Sequence, residues 1–243
     1  MMALVYVGLT TALLPAAEPE SNVLAEWNFD EGQGNMAADA GPNSLDFELV
    51  GCEWVEGKAG TALRFDRETS YGRFQKSESR SIALSDGPFT LSVWIKLDDD
   101  VKRSELYEIF NFHCGDTGPG YRLFLYYSRI CFRSGNGTKE SVSQISTDKT
   151  RTTIPKGEWC MIHLVLDDAN TMSVYVNGEL AAEAKDFQVY PPKKPKPCAT
   201  LGCFGNTRKI TAMGFKGCID EFKMRKGARS AVEVLKEAKG IEF

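Results

Sequence analysis

Histidine is nearly missing from this chain: His113 and His163 are the only two in 243 residues. That leaves little for a Ser-His or Cys-His pair and too little for a histidine-rich zinc centre. His163 alternates with Trp159, Met161 and Val165, as a strand histidine packed in a sheet would. His113 directly precedes Cys114, and neighbouring strand residues point apart. An excess of positive charge is missing too. The net charge is -4, which argues against a duplex nucleic-acid binder. There is no phosphate-cradling glycine loop, no Pro, Ser or Gly linker and no internal repeat. Beyond the first residues, no run is long and apolar enough to span a membrane.

Closely paired cysteines are also lacking. Seven are present, at 52, 114, 131, 160, 198, 203 and 218, with none of the spacing of a zinc site. Their number suits an oxidising compartment, and an odd count leaves at least one free. If LGCFGN and FKGCIDEF form a hairpin, Cys203 and Cys218 face each other, the one disulfide expected. Cys198 and Cys203 are too far apart if CATLGC is extended, since five residues then span about 16 Å.

The first residues fit such a compartment. Met1 to Leu14 are uncharged and mostly apolar, and Pro15-Ala16-Ala17 supplies small residues before an acidic start. This predicts a signal peptide over residues 1–17, although a basic residue at its front is missing; a misassigned start or a short buried segment are the alternatives. The expected location is secreted, periplasmic or cell surface, with no integral membrane segment after cleavage.

What remains, 18–243, reads as one all-β domain. Alternating runs at 24–29, 89–97, 121–126, 159–166 and 172–176 are separated by Gly, Asn and Asp clusters. Only 230–240 predicts a helix: Ser230 and Glu233 form a capping box and Gly240 stops it. A dozen or so strands in two packed sheets follow from this pattern.

Within GFKGCIDEFKMRK, a period of two puts Cys218, Asp220, Phe222 and Met224 on one face and Ile219, Glu221, Lys223 and Arg225 on the other. Asp220 thus falls on the core side, where a carboxylate needs a partner. Glu221 falls on the surface side. Adjacent residues on opposite faces cannot act as a catalytic pair, and no Glu-x-Asp-x-Glu run exists elsewhere.

The chain resembles the LamG-like jelly-roll family of the concanavalin A-like lectin/glucanase fold. The resemblance rests on LAEWNFDEGQGNMAADAGPNSLDFELVGCEWVEGKAGTALRFD, FTLSVWIKL, GEWCMIHLVLDDANTMSVYVNGEL and FKGCIDEFKMRKGARSAVEV, in that order. It implies a two-sheet antiparallel jelly-roll sandwich with one short C-terminal helix. It departs at Met161, where the family usually has His, and at Ala40 and Pro42 in the first loop. The resemblance also implies a structural calcium held by Asp39, Asn43 and Asp220, with Asp30 a turn former. Calcium takes six to eight oxygens, which such a loop can offer. The alternative is that Asp39 and Asn43 make an Asx-type turn while Asp220 bonds backbone N–H groups or an arginine.

The expected function is a non-catalytic binding module for a glycan or an extracellular protein. A glycoside hydrolase or polysaccharide lyase of the same fold, or a purely structural or adhesive protein, are the other readings. Tyr127, Arg129 and Arg133, near the Gly135-Asn136-Gly137 turn, form the expected ligand patch. Tyr126 and Tyr127 are neighbours, so one is expected to face in and the other out.

Overall fold

The computed structural model describes residues 22–75, 82, 84, 87–112, 116–148, 153–192, 198–204 and 213–241. The expected signal peptide, His113 and Cys114 lie outside the described residues. In chain order the strands are β1 (Val23–Trp27), β2 (Met36–Ala37), β3 (Phe47–Val50), β4 (Glu53–Glu56), β5 (Thr61–Asp66) and β6 (Tyr71–Gln75). Then come β7 (Phe89–Leu97), β8 (Leu106–Phe112), β9 (Gly120–Tyr126), β10 (Arg129–Gly135) and β11 (Ser143–Ser146). The last are β12 (Trp159–Leu166), β13 (Met172–Val176), β14 (Glu179–Ala184), β15 (Cys198–Leu201) and β16 (Lys216–Lys226), followed by helix α1 (Ala231–Ala238).

The strands form two antiparallel sheets. One runs β14-β13-β12-β7-β16-β5-β4, with β1 also on β16; the other runs β11-β10-β9-β8-β15-β6-β3-β2. Alternation decides what each sheet turns inward. On β7, Phe89, Leu91, Val93, Ile95 and Leu97 join the core, while Thr90, Ser92, Trp94 and Lys96 face out. Aromatic rings join the sheets at the centre. Trp27 lies 4.8 Å from Phe47 and 5.1 Å from Phe222, and Phe222 meets Phe110 edge-on at 5.1 Å.

The long strand β16 departs from the period-two reading. Its register with β7 shifts between Asp220 and Lys223, and Glu221 has φ 46°. This is a β-bulge, and an extra residue inverts the alternation beyond it. Ile219, Phe222 and Met224 therefore face the core, whereas Cys218, Asp220, Lys223 and Arg225 follow the outer-facing residues of β7. Asp220 is buried, but under the β4–β5 turn rather than in the core.

The expected disulfide does not form. Cys203 follows β15 in one sheet and Cys218 lies on β16 in the other, so the two segments are not a hairpin and no disulfide joins them. The helix behaves as its sequence predicts. The Ser230 hydroxyl accepts the Glu233 N–H, Glu233 returns the bond to the Ser230 N–H, and Gly240 follows the last turn with φ 64°. Glu237 fixes α1 to the outer face of the first sheet, accepting from Ser92 at 3.0 Å and Arg225 at 3.3 Å.

Candidate functional site

Asp39 and Asn43 come together on the loop between β2 and β3. Asp39 Oδ1 accepts the N–H groups of Glu26 and Gly41, both at 2.8 Å, and Oδ2 accepts that of Leu45 at 3.0 Å. Asn43 Nδ2 donates to the Leu24 carbonyl at 2.7 Å. Both residues thus fasten their loop to β1. Asp220 works elsewhere: Oδ2 accepts the N–H groups of Lys58 at 2.7 Å and Ala59 at 3.2 Å, and Oδ1 that of Glu221 at 2.9 Å.

Asp39 and Asp220 therefore share no hydrogen-bond partner, and every one of their four oxygens already faces an N–H. Among the described residues, no three His, Cys, Asp or Glu side chains are grouped to hold a metal. As arranged, the three residues are two separate backbone clamps and do not fit a common calcium. Asp30 is a third clamp, its Oδ1 accepting the Thr61 N–H at 2.9 Å.

The GKAG segment of the β4–β5 turn owes its form to these carboxylates. Gly60 has φ 52°, and a Cβ there would come within 1.9 Å of Asp30 Oδ1. At Gly57 a Cβ would meet Asp220 Oδ2 at 2.7 Å. Only glycine lets the turn close on both acids. Burial nonetheless pushes Asp220 up to about 6, against the three N–H bonds that lower it.

The expected ligand patch divides in two. Tyr126 and Tyr127 stand at the β9–β10 turn, 40 % and 49 % exposed, with ring centroids 4.5 Å apart and nearly perpendicular. Both tyrosines face solvent, not one in and one out, because Tyr126 ends its strand on the outer face and Tyr127 belongs to the turn. Arg129 pairs across the strands with Tyr126. Four residues of strand carry Arg133 about 13 Å further along. There its Nε donates to Gln144 at 2.6 Å and its Nη1 to the Asp116 carbonyl at 3.3 Å.

Arg133 adjoins a buried ion pair that the sequence reading missed. Arg122, its partner across β9 and β10, donates from Nε to Glu108 Oε1 at 3.1 Å and from Nη2 to Oε2 at 2.5 Å. The Arg122 guanidinium lies 4.2 Å from the Phe124 ring and 4.4 Å from the Phe204 ring. Burial raises Glu108 to about 7 against the pull of Arg122. A lone Glu and Arg fourteen residues apart leave no signal in a sequence; the pairing of β8 with β9 makes the site.

A cavity of about 370 Å³ was also missed. It opens on the outer face of the first sheet, among Lys58, Trp94, Met161, Glu221, Lys223 and the last turn of α1. Trp94 pairs with Met161 on one side and Asp220 on the other, so the three form one cross-strand row. The bulge swings Glu221 to the cavity rather than leaving it a plain surface charge.

The architecture is shared with solved structures. The binding domain of Paraclostridial Mosquitocidal Protein 1 superposes with TM-score 0.69 at 17 % identity over 90 % of this chain and 52 % of that one. The botulinum neurotoxin serotype D binding domain gives 0.67 at 15 % identity over 90 % and 52 %. The chain thus spans about half the length of these toxin domains. Domain 4 of AbnA, a GH43 extracellular arabinanase from Geobacillus stearothermophilus solved in complex with arabinotriose, gives 0.64 at 20 % identity over 89 % and 98 %. No curated protein matches the sequence. The Laminin_G_3 model, described as the concanavalin A-like lectin/glucanases superfamily, matches residues 68–235, and with its two antiparallel sheets the chain belongs to that family.

Proposed function

We propose that this chain is a secreted, non-catalytic binding module that recognises carbohydrate through the tip of its β9–β10 hairpin. The observation that carries this reading is the conformation of that tip. Tyr127 and Ser128 have φ 52° and 58°, a two-residue turn that normally takes Asn-Gly. Placing a bulky tyrosine in the left-handed region costs about 1–2 kcal/mol. Strain of this kind clusters at recognition sites, and here it displays two rings beside Arg129. Aromatic faces with adjacent hydrogen-bond donors suit the apolar faces and hydroxyls of a sugar.

The carboxylates support a binding role over hydrolysis. Asp220 is fully buried with both oxygens bonded to backbone N–H groups. Of the two acids lining the cavity, Glu237 is taken up by Ser92 and Arg225, which leaves Glu221, and a glycosidase needs two. The arabinotriose complex of the arabinanase domain supports the carbohydrate class by analogy of fold.

A glycan array on mature protein tests the reading. Binding that Tyr126→Ala and Tyr127→Ala each weaken about tenfold is expected. An empty array, with capture of an extracellular protein instead, would replace carbohydrate by a protein ligand. Calcium belongs to the proposal only through the sequence resemblance, and the N–H clamps on Asp39 and Asp220 favour a fold that stands without it. A melting temperature that chelator lowers and Asp220→Ala makes insensitive would restore calcium to Asp39, Asn43 and Asp220.

A further inference from the structure

The cavity on the first sheet is unused by that reading. Trp94 and Met161 form its floor, Lys58 and Ala59 of the β4–β5 turn one wall, and Glu237 to Gly240 at the end of α1 another. Its volume suits a small organic ligand or a single residue of a larger one.

Among the described residues, three of its polar groups have neither a hydrogen-bond nor an ion-pair partner. Among the described residues the Trp94 indole N–H has no acceptor, and the Glu221 carboxylate makes neither a hydrogen bond nor an ion pair. The Lys58 ammonium pairs with no carboxylate; it rests on the Trp94 ring, 4.6 Å from the centroid. Two neighbours are engaged, and Lys239 at the end of α1 is the third lysine of the lining. Lys223 is paired with Glu26, and Glu237 with Ser92 and Arg225. A half-buried carboxylate without a partner is destabilising, and Glu221 bears in addition the strain of φ 46°.

The surroundings choose the sign of the ligand. The face of an indole carries negative potential and attracts cations. The last carbonyls of α1 bring the negative end of a helix dipole to the wall. Asp220, Asp30 and Glu26 add negative field at Glu221, with Lys223 opposing them. Lys58 itself shows that a cation settles here. Its backbone is held by the N–H bond to Asp220, so its side chain can leave without loosening the turn.

We propose that this cavity binds a primary organic ammonium, such as an amino sugar with a free amine, the ammonium replacing Lys58 Nζ on Trp94 and donating to Glu221. Carboxylate and helix-end carbonyls are acceptors, so an ammonium carrying N–H groups fits better than a quaternary one. Lys58 is then an internal competitor that the ligand displaces.

The test is a calorimetric titration of the full chain with glucosamine, N-acetylglucosamine and choline at constant ionic strength. Saturable glucosamine binding is expected, with N-acetylglucosamine and choline each weaker by about tenfold or more. Lys58→Met should tighten glucosamine binding by about three- to tenfold, and Trp94→Leu and Glu221→Gln should each weaken it about tenfold. Lys58→Met lies on a turn and removes no backbone contact, so it remains informative if a floor variant fails to fold. No saturable glucosamine binding to Lys58→Met, equal binding of N-acetylglucosamine, or weaker binding after Lys58→Met would overturn the proposal, the last by showing a site for anions.

Discussion

Asp220 Oδ2 accepts the Lys58 N–H at 2.7 Å, joining residues 162 apart in the chain. The bond ties the final strand to the β4–β5 turn, and the same carboxylate also takes the N–H groups of Ala59 and Glu221. Asp220→Ala would leave three inward-facing donors without acceptors. A loss of about 2–4 kcal/mol is expected, measured by urea unfolding. A loss under about 0.5 kcal/mol would mean that water replaces the carboxylate freely.

The opposite side of that clamp makes a second prediction. Gly60→Ala puts a Cβ against Asp30 Oδ1 at a residue with φ 52°. The expected cost is at least about 1–2 kcal/mol, because both the close approach and the left-handed backbone oppose a side chain. Asp30→Ala should relieve the first and leave the second, so the double variant should lose less than the sum of the singles.

How far these contacts were legible from sequence depends on their range. The Ser230–Glu233 capping box and the Gly240 stop are local, and the helix formed where they predict. Alternation on β7 and β12 was equally readable, since each strand keeps one phase throughout. Strand β16 was misread because a period of two assumes continuous phase, and one bulge residue reverses everything after it. The Cys203–Cys218 pairing failed for another reason. Proximity in sequence suggested a hairpin, but consecutive strands here cross between sheets. Trp94, Lys58 and Glu221 come from three separate segments, so no spacing rule could have assembled the cavity.

The Arg122–Glu108 pair gives a prediction of asymmetry. Arg122 is 1 % exposed and Glu108 fully buried. Arg122→Met strands the buried Glu108 carboxylate without its cation and should cost about 3–5 kcal/mol. Joining it to Glu108→Leu should recover most of that loss, because the unpaired charge rather than the missing bond is the larger penalty. Equal losses in single and double variants, measured by urea unfolding, would contradict this.

Acid should loosen α1 through Glu237. Its carboxylate is held at about 2 despite burial, by His163, by the charge of Arg225 and by Ser92, with Arg229 nearby at 3.9 Å. A carboxylate whose folded pKa lies below its unfolded value stabilises at higher pH, and that stability is lost as pH falls. The window is therefore between about pH 4.5 and pH 2, and the loss is at most about 3 kcal/mol. Glu237→Gln should flatten this part of the stability profile and lower stability at neutral pH. An unchanged acid slope would show that Glu237 titrates normally.

Tyr127 should show stability and recognition in opposition. It occupies a left-handed turn position that asparagine adopts with little strain. Tyr127→Asn should therefore raise stability by about 1 kcal/mol, and Ser128→Gly beside it should add a similar amount. The same change removes one of the two exposed rings, so glycan affinity should fall about tenfold. The pairing of the two effects is the informative part. A tyrosine kept only for packing would lose stability when replaced, and this one makes its ring contact with Tyr126 at the exposed end of the hairpin. Gain of stability with undiminished glycan binding would detach the strained turn from recognition and move the sugar site elsewhere on the sandwich.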